Sequence, residues 1–397
     1  MNPTDFMLWK LNTPPRFWQC RDEISADVWQ AAYQRSAHML GFSETYCNIE
    51  QVMALTLGEA RYGPEHWTMD TLKKAYYMVK PALPRGLTRW MRQHYKQPYA
   101  HTTRNEWPVE PHYVEYLWQV MRQVMLLSGT DSLSIRNFWP EENRFALVLT
   151  HDVETADGQG FVEEVAALEE ELGFRSSFNF VPERYVVDRE LMNALRKRGF
   201  EIGVHGLKHD GKLFTSQKIF EQRAAQINQY LNEWQAVGFR ADLMHRQPYW
   251  MQALEAEYDL SFFDTDPYEP IPGGTMSIWP FFMGRLLELP YTLVQDYTLT
   301  SILNETSPRI WLEKVDFIEK YHGMALVNSH PDYLSQKNDW KVYREFLFKM
   351  KEHGNYWHAL PRDVARWWKA RAEQDSPGAV AQVRLGEDGL EIQPQGS

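Results

Sequence analysis

The sequence predicts an α/β protein built as a closed or nearly closed β/α barrel. From Phe145 onward, short apolar runs alternate with amphipathic stretches, the pattern of successive βα units. Seven strand candidates result, more than a small open sheet requires. The residues with chemistry to offer, Asp152, His205, Arg240, Asp264 and His330, fall at or just after the ends of those strands. That is where β/α barrels carry their active groups.

The first strand, 145–152, is announced by the run Phe145-Ala146-Leu147-Val148-Leu149 and is followed by an amphipathic helix at 161–172. A strand at 175–181 and a helix at 188–198 form the next unit. Phe200 to Val204 opens a strand at 200–205, with a long helix at 216–235 behind it. Strands at 237–242 and 259–265 flank a helix at 250–257. A strand at 286–291, a helix at 308–321, a strand at 323–329 and a helix at 338–352 complete the series. The segment Trp357 to Trp368 reads as a last short strand, then Pro-Arg-Asp-Val opening a helix. Residues 1–140 differ: they are rich in helix formers and aromatics, interrupted by prolines, and hold no catalytic spacing. They are expected to form a mostly helical N-terminal region, with the barrel over 141–371. Residues 372–397 are polar, with a Gly-Glu-Asp-Gly turn between Val380–Leu385 and Leu390–Gln393, and read as a polar tail or small hairpin.

A chain of 397 residues can bury a large core, as one big domain with additions or as two smaller ones. Its net charge of -11 argues against a nucleic-acid partner, since neutralising phosphates needs a basic surface. The abundant Trp and Tyr can stack on sugar rings or simply fill cores. Cys20 and Cys47 sit in no disulfide or metal-binding spacing. Residues 1–10 lack the basic start and apolar core of a secretory signal, and no run approaches the roughly 18 apolar residues that span a bilayer. These features together suggest a soluble protein of the reducing cytoplasm.

Two clusters carry the chemistry. THDVE places Asp152 and Glu154 at the end of the first strand, two apart and so pointing the same way if extended. HGLKHDG places His205 and His209 after a later strand, four apart and so on one face of a helical turn. Each pair alone is weak, because a chance HxxxH usually marks a surface or satisfied core histidine. Together, at the mouths of successive βα units, two imidazoles and a carboxylate make a three-ligand set for Zn2+ or another divalent metal, with a position left for water. A second carboxylate beside that set can take a proton from the water.

With these motifs, the chain from about Arg144 to Trp368 resembles the polysaccharide deacetylases, the metal-dependent carbohydrate esterase family 4. The resemblance implies a distorted (β/α)7 barrel. The family's first motif commonly reads T-F-D-D, with D-x-E variants that THDVE matches, implying Asp152 as catalytic base and Glu154 as metal ligand. His205 and His209 match its H-x-x-x-H metal motif. Gly238-Phe239-Arg240 resembles the third motif, whose arginine pairs with the catalytic aspartate. Phe263-Asp264-Thr265-Asp266 lies where an acid is expected near the general-acid histidine, with Asp264 or Asp266 as its support. Leu326-Val327-Asn328-Ser329-His330 resembles the fifth motif, making His330 that histidine.

The departures are specific. Val153 stands where the common form has its second Asp, so metal binding rests on the longer Glu154. The proline usual after Arg-Ala is missing, and Asp242 and Met244-His245-Arg246 occupy that stretch; His245 is either a further site residue or a buried histidine bonded to a loop. His151 points away from its neighbour Asp152 along a strand and reads as structural. The implied activity is N-deacetylation of an amino sugar in a glycan precursor or lipid-linked glycan. Deformylation or another amide hydrolysis on the same fold is a second reading, and a catalytically silent glycan-binding or scaffold protein a third. Asp152, Arg240 and His330 weigh against the third, because metal binding alone needs none of them.

Between Asp70 and Glu106 there is no acidic residue, while Lys73, Lys74, Lys80, Arg85, Arg89, Arg92 and Lys96 accumulate among Tyr76, Tyr77, Leu87, Trp90 and Met91. Such a mixture can rest on the inner membrane surface as an interfacial helix, which would suit a lipid-linked substrate. It can also form a solvated helical hairpin packed on the barrel, and Pro81 and Pro84, which shorten any helix here, favour this.

Overall fold

The computed structural model describes residues 5–42, 48–63, 66–67, 106–373, 380–386 and 389–394. The basic stretch from Lys73 to Lys96 lies outside the described residues, as does Cys47. In chain order the strands are β1 (Ser132–Arg136), β2 (Phe145–Val153), β3 (Ser177–Phe180), β4 (Glu201–His205), β5 (Gly238–Arg240), β6 (Tyr258–Asp259), β7 (Phe281–Met283), β8 (Leu286–Glu288), β9 (Met324–Ser329), β10 (Tyr356–His358), β11 (Val380–Gly386) and β12 (Gly389–Pro394).

Seven of them, β2, β3, β4, β5, β6, β8 and β9, run parallel in a ring. Regular ladders join β9 to β2 and then β2 through to β8. The last gap is closed beyond β8 by a single parallel bridge, Leu293 to Val327. The result is a distorted β/α barrel. Every residue of β2 is buried, as expected of a strand covered on both faces, which is why it reads as a nearly unbroken apolar run. Helices follow the strands on the outside, including Val162–Leu172, Arg189–Lys197, Gln217–Glu233, Arg309–Lys320 and Lys337–His353. Local chemistry sets their ends: Asp188 and Ser216 cap two N-termini, and Gly173, at φ 90°, terminates Val162–Leu172.

Two expectations need correction. The helix expected at 250–257 is only Pro248–Met251, because the Asn228 side chain takes the Ala253 carbonyl (3.0 Å) and the Glu255 N–H (2.8 Å), spending groups that a longer helix needs. The strand expected at 259–265 pairs regularly only at Tyr258–Asp259, then touches its neighbour again at Phe263–Tyr291. Between these points side chains replace the ladder. Glu288 accepts from the Phe262 N–H (3.1 Å), and the Ser261 hydroxyl oxygen accepts from the Ala241 N–H (2.8 Å). The connection from β6 to β8 runs back through the antiparallel β7, an element the sequence reading did not include. The N-terminal region covers β7 there. The Asn12 carboxamide both donates to and accepts from the Phe282 backbone at 2.7 Å, standing in for a neighbouring strand, and the Gly284 N–H donates to Leu8 O.

The N-terminal region is helical as expected, with Ala26–Ser36 and His112–Ser128 its longest described helices. Its aromatics serve packing: Trp118 stacks on Trp279 with centroids 5.4 Å apart, and Phe17 meets Trp279 edge-on at 4.8 Å. β11 and β12 form a hairpin whose partner is β1, giving a three-stranded antiparallel sheet.

A buried ion pair ties the N-terminal region to the barrel. Arg246 donates to both oxygens of Glu59 at 2.8 and 2.6 Å, between the rings of Phe262 and Phe263, and Glu59 also accepts from the Gly274 N–H. Burial raises the Glu59 pKa, but Arg246 and His66 outweigh it and bring it to about 2. The lowered pKa means that this stabilisation is complete above the ordinary glutamate range and is lost as pH falls from there towards about 2. Glu59→Ala strands a buried guanidinium and is expected to cost about 3–5 kcal/mol in denaturant unfolding at neutral pH. A loss below about 1 kcal/mol, typical of surface pairs, would show that the pair does not secure this contact.

Candidate metal and catalytic site

At the C-terminal mouth of the ring, β2 ends in Asp152 and Val153, and the chain turns at Glu154. β4 ends in His205, β5 in Arg240, and β9 leads directly to His330. The loop after β4 is not a helical turn, contrary to the reading of HxxxH. Gly206 at φ 57° and His209 itself at φ 50° are left-handed, and this folds the loop back so that the two imidazole centroids lie 5.1 Å apart. A left-handed non-glycine residue is uncommon, and histidine is among the residues that adopt it more readily. Asp242 supports the loop by accepting from the Gly211 N–H at 2.9 Å.

Glu154, His205 and His209 offer ligand atoms that all lie within 4.8 Å of one another. His209 Nε2 is 3.0 Å from Glu154 Oε1. The His205 Nδ1 meets the Arg240 carbonyl at 3.2 Å, which directs that proton to the backbone and leaves Nε2 free. Burial lowers the His205 pKa and so favours the neutral ring. His205 Nε2 is buried without a hydrogen-bond partner, and His209 Nε2 is buried with only the Glu154 carboxylate beside it. Two buried imidazole nitrogens, one of them unpartnered, facing a carboxylate fit a divalent cation by donor type and placement.

Asp152 lies beside this set and is held from three sides. Its Oδ1 accepts from Arg240 Nη1 (2.9 Å) and Asn179 Nδ2 (3.0 Å), and its Oδ2 from Asn328 Nδ2 (3.1 Å). Burial acts to raise its pKa, but Arg240, His205 and His330 prevail and hold the carboxyl well below the usual range. Arg240 is fully buried and satisfied, donating also to Leu260 O, Asn328 Oδ1 and Thr150 Oγ1. Oδ2 is the oxygen that faces the site, 3.9 Å from His205 Nε2 and 4.0 Å from His330 Nε2.

His330 is fixed by Asp296, which accepts both from its backbone N–H and at its Nδ1, each at 2.7 Å. Burial disfavours the imidazolium, yet Asp296, Glu154 and Asp152 push its pKa up to about 10. Its Nε2 points at Asp152 and, at 3.8 Å, at Glu154 Oε1.

The expected support for His330 is therefore corrected. Asp264 pairs with the ammonium of Lys314, and Asp266 accepts from the Tyr291 hydroxyl at 2.9 Å. His151 points away from the mouth, between Glu169 (2.7 Å) and Ser329 (2.9 Å), as expected. His245 is buried with Nε2 unpartnered, and burial takes its pKa to about 4. Asn179, Asn328 and Asp296 were missed. The two asparagines were visible as lone amides inside apolar runs at strand ends, whereas nothing local marks Asp296.

No family model matches the sequence, and no curated protein matches it. Among solved structures, the chain is similar to one described as a polysaccharide deacetylase from Mycobacterium smegmatis, with 17% identity, TM-score 0.49, and 59% of this chain and 94% of that chain covered. The Puue allantoinase gives 15% identity and TM-score 0.48, with 59% and 93% covered. A probable polysaccharide deacetylase from Pseudomonas aeruginosa gives 15%, 0.48, 59% and 93% in the same order.

Proposed function

We propose that the barrel segment 141–371 is a metal-dependent hydrolase that removes acetyl groups from the nitrogen of an amino sugar, in a glycan precursor or lipid-linked glycan. The observation that carries this reading is a single mouth holding a three-ligand set whose donor atoms lie within 4.8 Å of one another, with the Asp152 carboxylate 3.9 Å from His205 and the His330 imidazole 4.0 Å from Asp152 and 3.8 Å from Glu154. Metal binding alone would not need Asp152 or His330.

Glu154, His205 and His209 would hold the ion, zinc by donor type. Bound there, it would act as a Lewis acid towards an amide carbonyl and acidify a water. Asp152 is the base: its Oδ2 faces the site, and Arg240 keeps it ionised, so it is ready to accept the attacking water's proton. Its usefulness lies in charge state and position, since a carboxylate with so low a pKa is weakly basic. His330 is the acid. Asp296 holds Nδ1 and keeps the ring protonated at neutral pH, leaving Nε2–H to donate to the departing amine. An amine leaves a tetrahedral carbon readily only when protonated, so this placement suits C–N cleavage. The products are acetate and a free amino sugar.

Among the described residues no helix is long and apolar enough to cross a membrane. A cytoplasmic enzyme acting on a soluble precursor, or on a lipid-linked glycan at the inner membrane surface, fits this reading. The test is acetate release by zinc-loaded protein from N-acetylated nucleotide sugars and lipid-linked glycans, with N-formylated counterparts alongside. Acetate release that is lost on chelation and restored by zinc is expected. Formate release alone would move the assignment to a deformylase. Release of neither would contradict the proposal on this substrate class.

A further inference from the structure

Glu154 occupies a position one residue beyond β2, where nothing in the strand itself fixes its backbone. The β2–β9 ladder ends at His151 opposite Ser329. Continued by three residues, the register would set Glu154 opposite Asp332, and there a side chain takes over the ladder. Asp332 Oδ2 accepts from the Glu154 N–H at 3.1 Å, and its Oδ1 accepts from the Thr155 hydroxyl. Thr155 in turn caps the helix Ala156–Gly160, its Oγ1 accepting from the Gly158 N–H at 3.2 Å.

Gly158 shows how closely this carboxylate is lodged. A Cβ there would lie 2.1 Å from Asp332 Oδ2 and 2.4 Å from Cγ, so only glycine leaves the room that Asp332 occupies. The glycine serves space here, since its backbone is helical. The Glu154 side chain is then steered at its tip, with Oε1 towards His209 (3.0 Å) and Oε2 towards Arg184 (3.7 Å).

We infer that Asp332 is a positioning residue for the metal ligand Glu154, holding the turn after β2 so that the carboxylate reaches His205 and His209. The inference rests on the metal-site reading above. Groups that orient a ligand from behind contribute to metal affinity, and their loss costs about 10- to 100-fold. A helix-capping role alone would leave affinity unchanged.

The experiment measures zinc affinity by competition with a chelating dye, for the full-length wild type, Asp332→Ala, Asp332→Asn and Gly158→Ala. Asp332→Ala is expected to weaken binding about 10- to 100-fold. Asp332→Asn keeps an acceptor for the Glu154 N–H and should lose distinctly less. Gly158→Ala keeps the carboxylate but displaces it, so it should weaken zinc binding even though alanine is the better helix former. Wild-type affinity in both Asp332→Ala and Gly158→Ala overturns the inference while leaving the metal site standing. A wild type that binds no zinc overturns the site reading and this inference with it.

Discussion

Asp152→Asn is expected to reduce turnover towards the upper end of the roughly 10²- to 10⁴-fold range of general acid–base catalysis, while a divalent ion still binds. The amide cannot accept a proton at neutral pH, yet Glu154, His205 and His209 are untouched. The substitution also leaves the buried Arg240 without its carboxylate, although Thr150, Asn328 and Leu260 still accept from it. Some stability will therefore be lost, so activity is compared below the variant's melting transition. Deacetylation kinetics with bound metal measured in parallel decide the matter. Near wild-type turnover would remove Asp152 from the role of base.

His330→Ala is expected to cost about 10²- to 10⁴-fold on an amide substrate and far less on an ester of the same sugar. An alkoxide departs more readily than an amine anion, so proton donation matters less for the ester. Equal losses on both would mean that His330 orders the site without donating a proton. Asp296 gives the same assignment a pH signature. The rate of an enzyme whose acid is His330 falls as pH rises through the pKa of that group. Asp296 is the foremost group raising it, with Glu154 and Asp152 facing the same ring. Asp296→Asn should therefore move the alkaline limb of kcat/KM to lower pH, and an unmoved limb would contradict the pairing.

The barrel was legible because its parallel strands are buried on both faces, so that β2 and β9 read as continuous apolar runs ending in polar residues. The candidate site residues were legible because each pair is local in the chain: Asp152 with Glu154, and His205 with His209. Local spacing also misled. Four residues suggested a helical turn, but Gly206 allows a left-handed start that brings the imidazoles together by another path. Asp264 sits close to a strand end, as a catalytic residue should, yet Lys314 on a distant helix claims it. Asp296 could not be found from its neighbours. It meets His330 only because the chain after β8 runs on to bridge β9 at Leu293–Val327, a contact between residues far apart in sequence. The N-terminal role was hidden for the same reason, since Asn12 mimics a strand edge 270 residues away.

The central claim is that Glu154, His205 and His209 form one divalent-cation site. Zinc titration of metal-stripped protein, wild type against His209→Ala, tests it most directly. One equivalent should bind tightly to the wild type, and binding should collapse in the variant, since His205 and Glu154 alone make a poor site for zinc. A wild type that takes up no zinc, or a His209→Ala protein that binds it as tightly, would contradict the account.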